Sequence, residues 1–169
     1  MSCIIMIGMP GCGKSTVGVV LAKAIGKEFL DTDLLIQEQE GRLLQQIIDQ
    51  KGNEYFQTVE EEILAQLQKK NCVISTGGSA VYYPRAMENL RKQGATVYIR
   101  LSLETIITRL DNIKTRGITM ANGETVDGLY RARIPLYERY ADITIDGEKK
   151  DVEQIVEEII LSFKIALPQ

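Results

Sequence analysis

Residues 8–16 read Gly-Met-Pro-Gly-Cys-Gly-Lys-Ser-Thr and stand between an apolar run, Cys3 to Ile7, and a segment of helical period, Val17 to Ile25. A strand that turns through glycines into a helix is the unit from which α/β folds are built, so this stretch constrains the rest of the chain more than any other. Glycine lets the backbone curl until successive N–H groups face inward, and these, with the positive end of the helix dipole behind them, form a cradle for phosphate oxygens. Gly11, Cys12, Gly13, Lys14, Ser15 and Thr16 are the candidate contacts to a nucleoside triphosphate. Lys14 reaches the outer phosphates, and Ser15 offers its hydroxyl to Mg²⁺. A glycine-rich turn without a ligand is the competing reading, and it does not explain why every fixed position and both flanks agree.

Strands and helices alternate along the whole chain. Apolar or β-branched runs at Cys3 to Ile7, Phe29 to Leu30, Val73 to Ser75, Thr96 to Leu101 and Ile143 to Ile145 predict strands. Apolar residues three and four apart predict helices over Lys14 to Ile25, Leu34 to Glu40, Leu43 to Lys51, Glu54 to Lys70, Pro84 to Lys92, Leu103 to Leu110, Val126 to Tyr140 and Val152 to Ile165. Gly26, Gly41, Gly52 and Gly94 supply stops. The alternation implies an α/β fold, a parallel five-stranded sheet flanked by helices on both faces, with ligands gathered at the carboxyl ends of the strands. At 169 residues and 44% hydrophobic content the chain is expected to form one domain with a sizeable core. Asn112 to Thr125 is polar, carries two glycines and lacks a period, which marks it as a mobile lid.

Composition removes several classes of function. The net charge is -3 and the 20 basic residues are scattered, so no electrostatic footprint for a nucleic acid is present. No run is long enough to cross a bilayer, and the N-terminus lacks the parts of a signal peptide, so no membrane or export role is expected. Three cysteines at 3, 12 and 72 form no C-x-x-C pair and leave one over, which suits the reducing cytoplasm. No heptad or long exposed apolar stretch calls for a second subunit, and a monomer is expected. The chain has no histidine, so proton transfer falls to carboxylates, Lys, Tyr or Cys.

Further candidates gather around the phosphate loop. Asp31-Thr32-Asp33 follows the short second strand, which in this topology ends at the same sheet edge. Asp31 is placed to support the Mg²⁺ shell, directly or through water, and Asp33 to accept a proton from an acceptor hydroxyl, with a helix cap ahead of Leu34 as the alternative for Asp33. Ser75-Thr76-Gly77-Gly78-Ser79 ends the third strand, and its glycines let amides approach a substrate closely, although a plain tight turn explains them nearly as well. Arg116 in the proposed lid is a candidate cation over a transferring phosphoryl group, or else a solvent-exposed loop arginine. Arg131 and Arg133 lie two apart on a helix, so at most one enters a site. Cys12 is either a reactive thiol or a small residue in a crowded loop.

With these residues assembled, the chain resembles the shikimate kinase family along essentially its full length. Gly8 to Thr16, Leu30-Asp-Thr-Asp33, Ser75-Thr-Gly-Gly78 and Arg133-Ile-Pro-Leu-Tyr-Glu-Arg-Tyr-Ala-Asp142 carry the resemblance. It implies a P-loop kinase fold with a substrate-binding segment at about Leu34 to Gln57 and an ATP lid. It also implies phosphorylation of shikimate by ATP with Mg²⁺, in aromatic amino-acid biosynthesis. By position, Asp33 matches the residue holding the acceptor hydroxyls, Asp31 the Mg²⁺-side carboxylate, and Arg133 an arginine on the substrate carboxylate. Arg116 matches the lid arginine and Arg109 a residue beside adenine. Three positions depart from the pattern. The usual Phe-Arg is Phe56-Gln57, which leaves Gln57 at a substrate-binding position while Glu60 is kept. Ser79 replaces a third glycine, and the lid's Arg-Pro-Leu-Leu becomes Arg116-Gly-Ile-Thr. A lost hydrogen bond to a charged group costs about 1.5–3 kcal/mol, roughly a 10- to 150-fold change in affinity. Gln57 therefore leaves open a weakened shikimate site, a different hydroxylated acceptor such as a sugar acid or polyol, and a nucleotide-binding protein without turnover.

Overall fold

In the computed structural model, which describes residues 2–111 and 123–166, five parallel strands lie in the order β2-β3-β1-β4-β5. They are β1 (Cys3–Ile7), β2 (Glu28–Asp31), β3 (Cys72–Ser75), β4 (Gly94–Arg100) and β5 (Ile143–Asp146). Position in the sheet follows side-chain character. Central β1 is Cys-Ile-Ile-Met-Ile with all five residues buried, as a parallel strand covered on both faces requires. Edge strand β5 is half-exposed, with Ile145 buried and Thr144 and Asp146 exposed.

The helices are α1 (Lys14–Ile25), α2 (Thr32–Glu40), α3 (Leu44–Gln66), α4 (Pro84–Gln93), α5 (Leu103–Asp111), α6 (Val126–Tyr140) and α7 (Val152–Ala166). The expected order of elements is present, with differences at the ends. β2 runs on to Asp31 and α2 starts at Thr32, two residues ahead of the apolar run, because the Asp31 side chain caps the helix by accepting from Asp33 N–H at 2.9 Å. The two helices expected on either side of Gly52 are one element with non-helical backbone at that glycine, and it ends at Gln66 rather than Lys70. Gly94 stops α4 as expected and also begins β4, pairing with Cys3, where the β-branched run had suggested a start at Thr96. A 3-10 turn over Ala80–Tyr82 follows β3 and was not anticipated.

The main core lies on both faces of the sheet, with Leu21, Ile74, Met87, Tyr98, Ile106 and Ile159 among its buried residues. A separate smaller core of Ile36, Leu44, Ile47, Phe56, Val59 and Ile63 holds α2 against α3. Of the expected lid, residues 112–122 lie outside the described residues. Gly123 takes positive φ, and Thr125 caps α6 by accepting from Gly128 N–H at 3.0 Å.

Candidate active site

The loop after β1 turns through left-handed backbone. Gly11 has φ 79° and Gly13, the residue before α1, has φ 98°, a region that side chains with a Cβ rarely adopt. These turns carry the loop amides to the start of α1. Lys14 is 8% exposed, and its ammonium donates to Gly8 O at 2.8 Å and Met9 O at 3.0 Å, with the Cys12 sulfur at 3.8 Å. Sulfur is the weakest of these acceptors, so a phosphoryl oxygen would displace it most readily. Arg109, from α5, donates to Gly11 O and Cys12 O at 3.3 Å each and so lies along the loop. Cys12 is buried, in accord with the small-residue reading, and Thr16 is exposed on the first turn of α1.

Beside the loop, the Ser15 hydroxyl donates to Asp31 Oδ2 at 2.6 Å and lies 3.2 Å from the Ser75 hydroxyl. Asp31 therefore has two uses: Oδ1 caps α2 and Oδ2 holds Ser15. The cap that the sequence left open for Asp33 belongs to Asp31, and Asp33 lies in the first helical turn. A hydroxyl and a carboxylate oxygen on adjacent elements are hard oxygen donors of the kind Mg²⁺ takes when it keeps several waters.

One cavity of about 310 Å³ runs past these groups and is lined by Lys14, Ser15, Asp31, Asp33, Glu60 and Arg133 among others. Its floor is the chain after β3. A Cβ on Gly77 would sit 2.5 Å from Glu60 Oε1 and 3.0 Å from Asp33 Oδ1, and one on Gly78 would sit 2.8 Å from Arg133 Nη1 and from Pro10 Cδ. Glycine is required at both because carboxyls, guanidinium and proline close over the backbone. Tyr137 of α6 donates to Gly78 O at 2.6 Å and stacks on Tyr98 of β4 at 5.2 Å, tying this floor to the sheet. Arg133 is 2% exposed and its guanidinium lies over the Tyr82 ring, whereas Arg131 faces solvent and pairs with Asp127, so one of the two arginines enters the site.

Glu60 is fully buried. Its Oε2 accepts from Ser79 at 2.6 Å and from Tyr83 at 2.9 Å, and its Oε1 has no hydrogen-bond partner among the described residues. Burial pushes this carboxyl up to about 7, with Asp33 adding to the rise, while the two hydroxyls and Arg133 oppose it. Burial, and then the Glu60 carboxyl, push the Tyr83 phenol well above its ordinary value, so Tyr83 remains a donor.

The structure brings together Lys14, Ser15, Asp31, Asp33, Gly77, Gly78, Ser79 and Arg133 around the cavity, with Gly11, Cys12 and Gly13 in the loop next to it and Arg109 of α5 against that loop. Arg116 lies outside the described residues. Gln57 is not among the lining residues: Phe56 faces the small core and the cavity, which turns the next residue on the helix outward. Sequence reasoning missed Tyr83, Tyr137 and Pro10. All three follow or lie within motifs already singled out, but which distant residue a tyrosine hydroxyl or a proline ring meets is not written in local pattern.

A phosphate-binding loop after β1, a hydroxyl and carboxylate beside it, and a second carboxylate and a buried arginine lining the adjoining cavity define a P-loop small-molecule kinase. The five-stranded parallel sheet with helices on both faces is the architecture of that class. The chain belongs to the shikimate kinase family, whose sequence profile matches residues 10–164. It is similar to shikimate kinases of a Sulfurihydrogenibium species, 38% identical over 95% of this chain and 97% of that protein, and of Aquifex aeolicus, 36% identical over 95% of each chain. Among solved structures it is similar to shikimate kinase from Acinetobacter baumannii in complex with shikimate. That match has a TM-score of 0.88 and 31% identity, covering 98% of this chain and 96% of the other.

Proposed function

We propose that this chain transfers the terminal phosphoryl group of ATP to a hydroxyl of shikimate, giving shikimate 3-phosphate. The observation that carries the reading is that one cavity is lined both by Lys14 and Ser15 of the phosphate loop and by Asp33 and Arg133, a carboxylate and a buried cation. In this reading the loop amides from Gly11 to Thr16 and Lys14 hold the phosphates, and Arg109 flanks the nucleotide. Ser15 and Asp31 would hold Mg²⁺, which when bound neutralises charge on the phosphate oxygens. Arg133 pairs with the acceptor's carboxylate through its planar fork, and the Gly77 and Gly78 backbone lies against the acceptor. Asp33 orients the acceptor hydroxyl and accepts its proton as the oxygen bonds to phosphorus and ADP leaves. The lid arginine Arg116 adds positive charge on the transferring group.

ADP release from the purified chain with Mg-ATP tests this, with shikimate compared against sugar acids, polyols and hydroxy-amino acids. Release that depends on shikimate is the expected outcome. Release with another acceptor, or with none, overturns the assignment of the acceptor.

A further inference from the structure

Glu60 is the one cavity carboxyl with an orphaned buried oxygen among the described residues, and the way it is held gives that oxygen a purpose. Both hydroxyls that touch it, Ser79 and Tyr83, converge on Oε2. They flank the 3-10 turn and meet one atom of a helix residue some twenty positions earlier. Two donors on one oxygen fix the carboxyl's rotation about its last bond. Oε1 is left beside Gly77, where it and Asp33 Oδ1 approach the same point. A buried carboxyl oxygen without a partner costs free energy, and a ligand group that donates to it removes that cost.

Resting on the acceptor reading above, we propose that Ser79 and Tyr83 are positioning residues. They clamp Glu60 so that Oε1 accepts a hydrogen bond from a second hydroxyl of the acceptor, next to the one Asp33 activates, and they make acceptor binding depend on Glu60 being ionised. The departure at position 79 is what supplies one half of the clamp, because a glycine there has no hydroxyl. The charged and titratable groups that act on Glu60 are Asp33 from α2, Arg133 from α6 and Tyr83 itself, while Lys14 and Asp31 line the same cavity. Tyr83 stays protonated, and so donates, across the working range. Both hydroxyl contacts favour the ionised form of Glu60, so losing either one moves its ionisation to higher pH.

The test is the pH dependence of the shikimate KM for the full chain, between about pH 5.5 and 8.5, in wild type, Tyr83→Phe, Ser79→Gly and Glu60→Gln. Tyr83→Phe keeps the ring and its packing. In that variant the pH below which the shikimate KM climbs should rise by about one unit, which near pH 7 is roughly a fivefold higher KM, with the ATP KM unmoved. Ser79→Gly should act in the same direction, and Glu60→Gln should flatten the profile, which separates Glu60 from its neighbour Asp33. Superimposable wild-type and Tyr83→Phe profiles, or a loss confined to the ATP KM, overturn the proposal. If wild type releases no shikimate-dependent ADP, the acceptor reading fails on its own. The clamp is then decided by ¹³C titration of the Glu60 carboxyl, assigned with Glu60→Gln. Tyr83→Phe must still move that midpoint upward, and an unmoved midpoint overturns it.

Discussion

The amides and the lysine proposed to hold the phosphates come from nine consecutive residues, Gly8 to Thr16, which run from the end of a fully buried strand into the first turn of α1. The cavity opposite is assembled differently: Asp33 comes from α2, Glu60 from α3, Gly77 and Gly78 from the turn after β3, and Arg133 from α6. The first arrangement rests on the main core, and the second rests partly on the small core between α2 and α3. A local loop specifies a general chemistry, recognition of phosphate. A cavity gathered from distant elements specifies which acceptor, because each wall can change without the others.

The largest effect should come from the local half. Lys14→Met keeps the aliphatic stem and removes the charge, and kcat should fall about 100- to 1000-fold, as when one donor to a developing oxyanion is lost. Shikimate binding, read by calorimetry, should change little. Wild-type turnover in this variant would remove the loop from the mechanism and dissolve the contrast between the halves.

A second effect tests what the acceptor side costs in stability. The folded Glu60 carboxyl titrates near 7, above the ordinary carboxylate value near 4.5. Folding therefore favours its protonated form, so its contribution is intact at pH 4.5 and below and is lost as pH rises through 7. Glu60→Gln should accordingly be more stable than wild type at pH 8, by up to about 3 kcal/mol, with the gap closing towards pH 5. Urea unfolding at the two pH values reads this directly. A gap independent of pH would show that burial of the charge is not what is being relieved.

Arg133→Lys is expected to act on the acceptor alone. It keeps the charge and gives up the planar fork, so the shikimate KM should rise roughly tenfold while the ATP KM holds. An equal rise in both would place Arg133 across the boundary between the halves.

The phosphate loop and the alternating elements were legible in sequence because both are written in neighbouring residues: glycines at fixed spacing, apolar runs, helical periods. Asp31 and Asp33 were legible as a pair. Their division of labour was not, since it depends on which oxygen caps α2 and which meets Ser15. Glu60 was visible only as a kept residue near a missing arginine. Its clamp joins α3 to residues 79 and 83, a contact that no period or motif encodes. Gly94 misled for a related reason, since a glycine reads as a stop whether or not a strand begins on it.

The smallest expected effect concerns Gln57, where sequence and structure pull apart. Resemblance puts a substrate-binding arginine at this position, yet Gln57 is exposed and Phe56 is the residue that lines the cavity. If the acceptor carboxylate lies against Arg133, Gln57→Arg should lower the shikimate KM. From an exposed position, however, an added cation contributes only about 0.2–1 kcal/mol, which is less than about a sixfold gain. A gain of tenfold or more would mean that acceptor binding carries this turn of α3 into the cavity, so that the small core moves as a unit against the fixed phosphate loop. A raised KM would mean that the acceptor carboxylate does not lie within reach of position 57, and that its pose against Arg133 is not the one proposed.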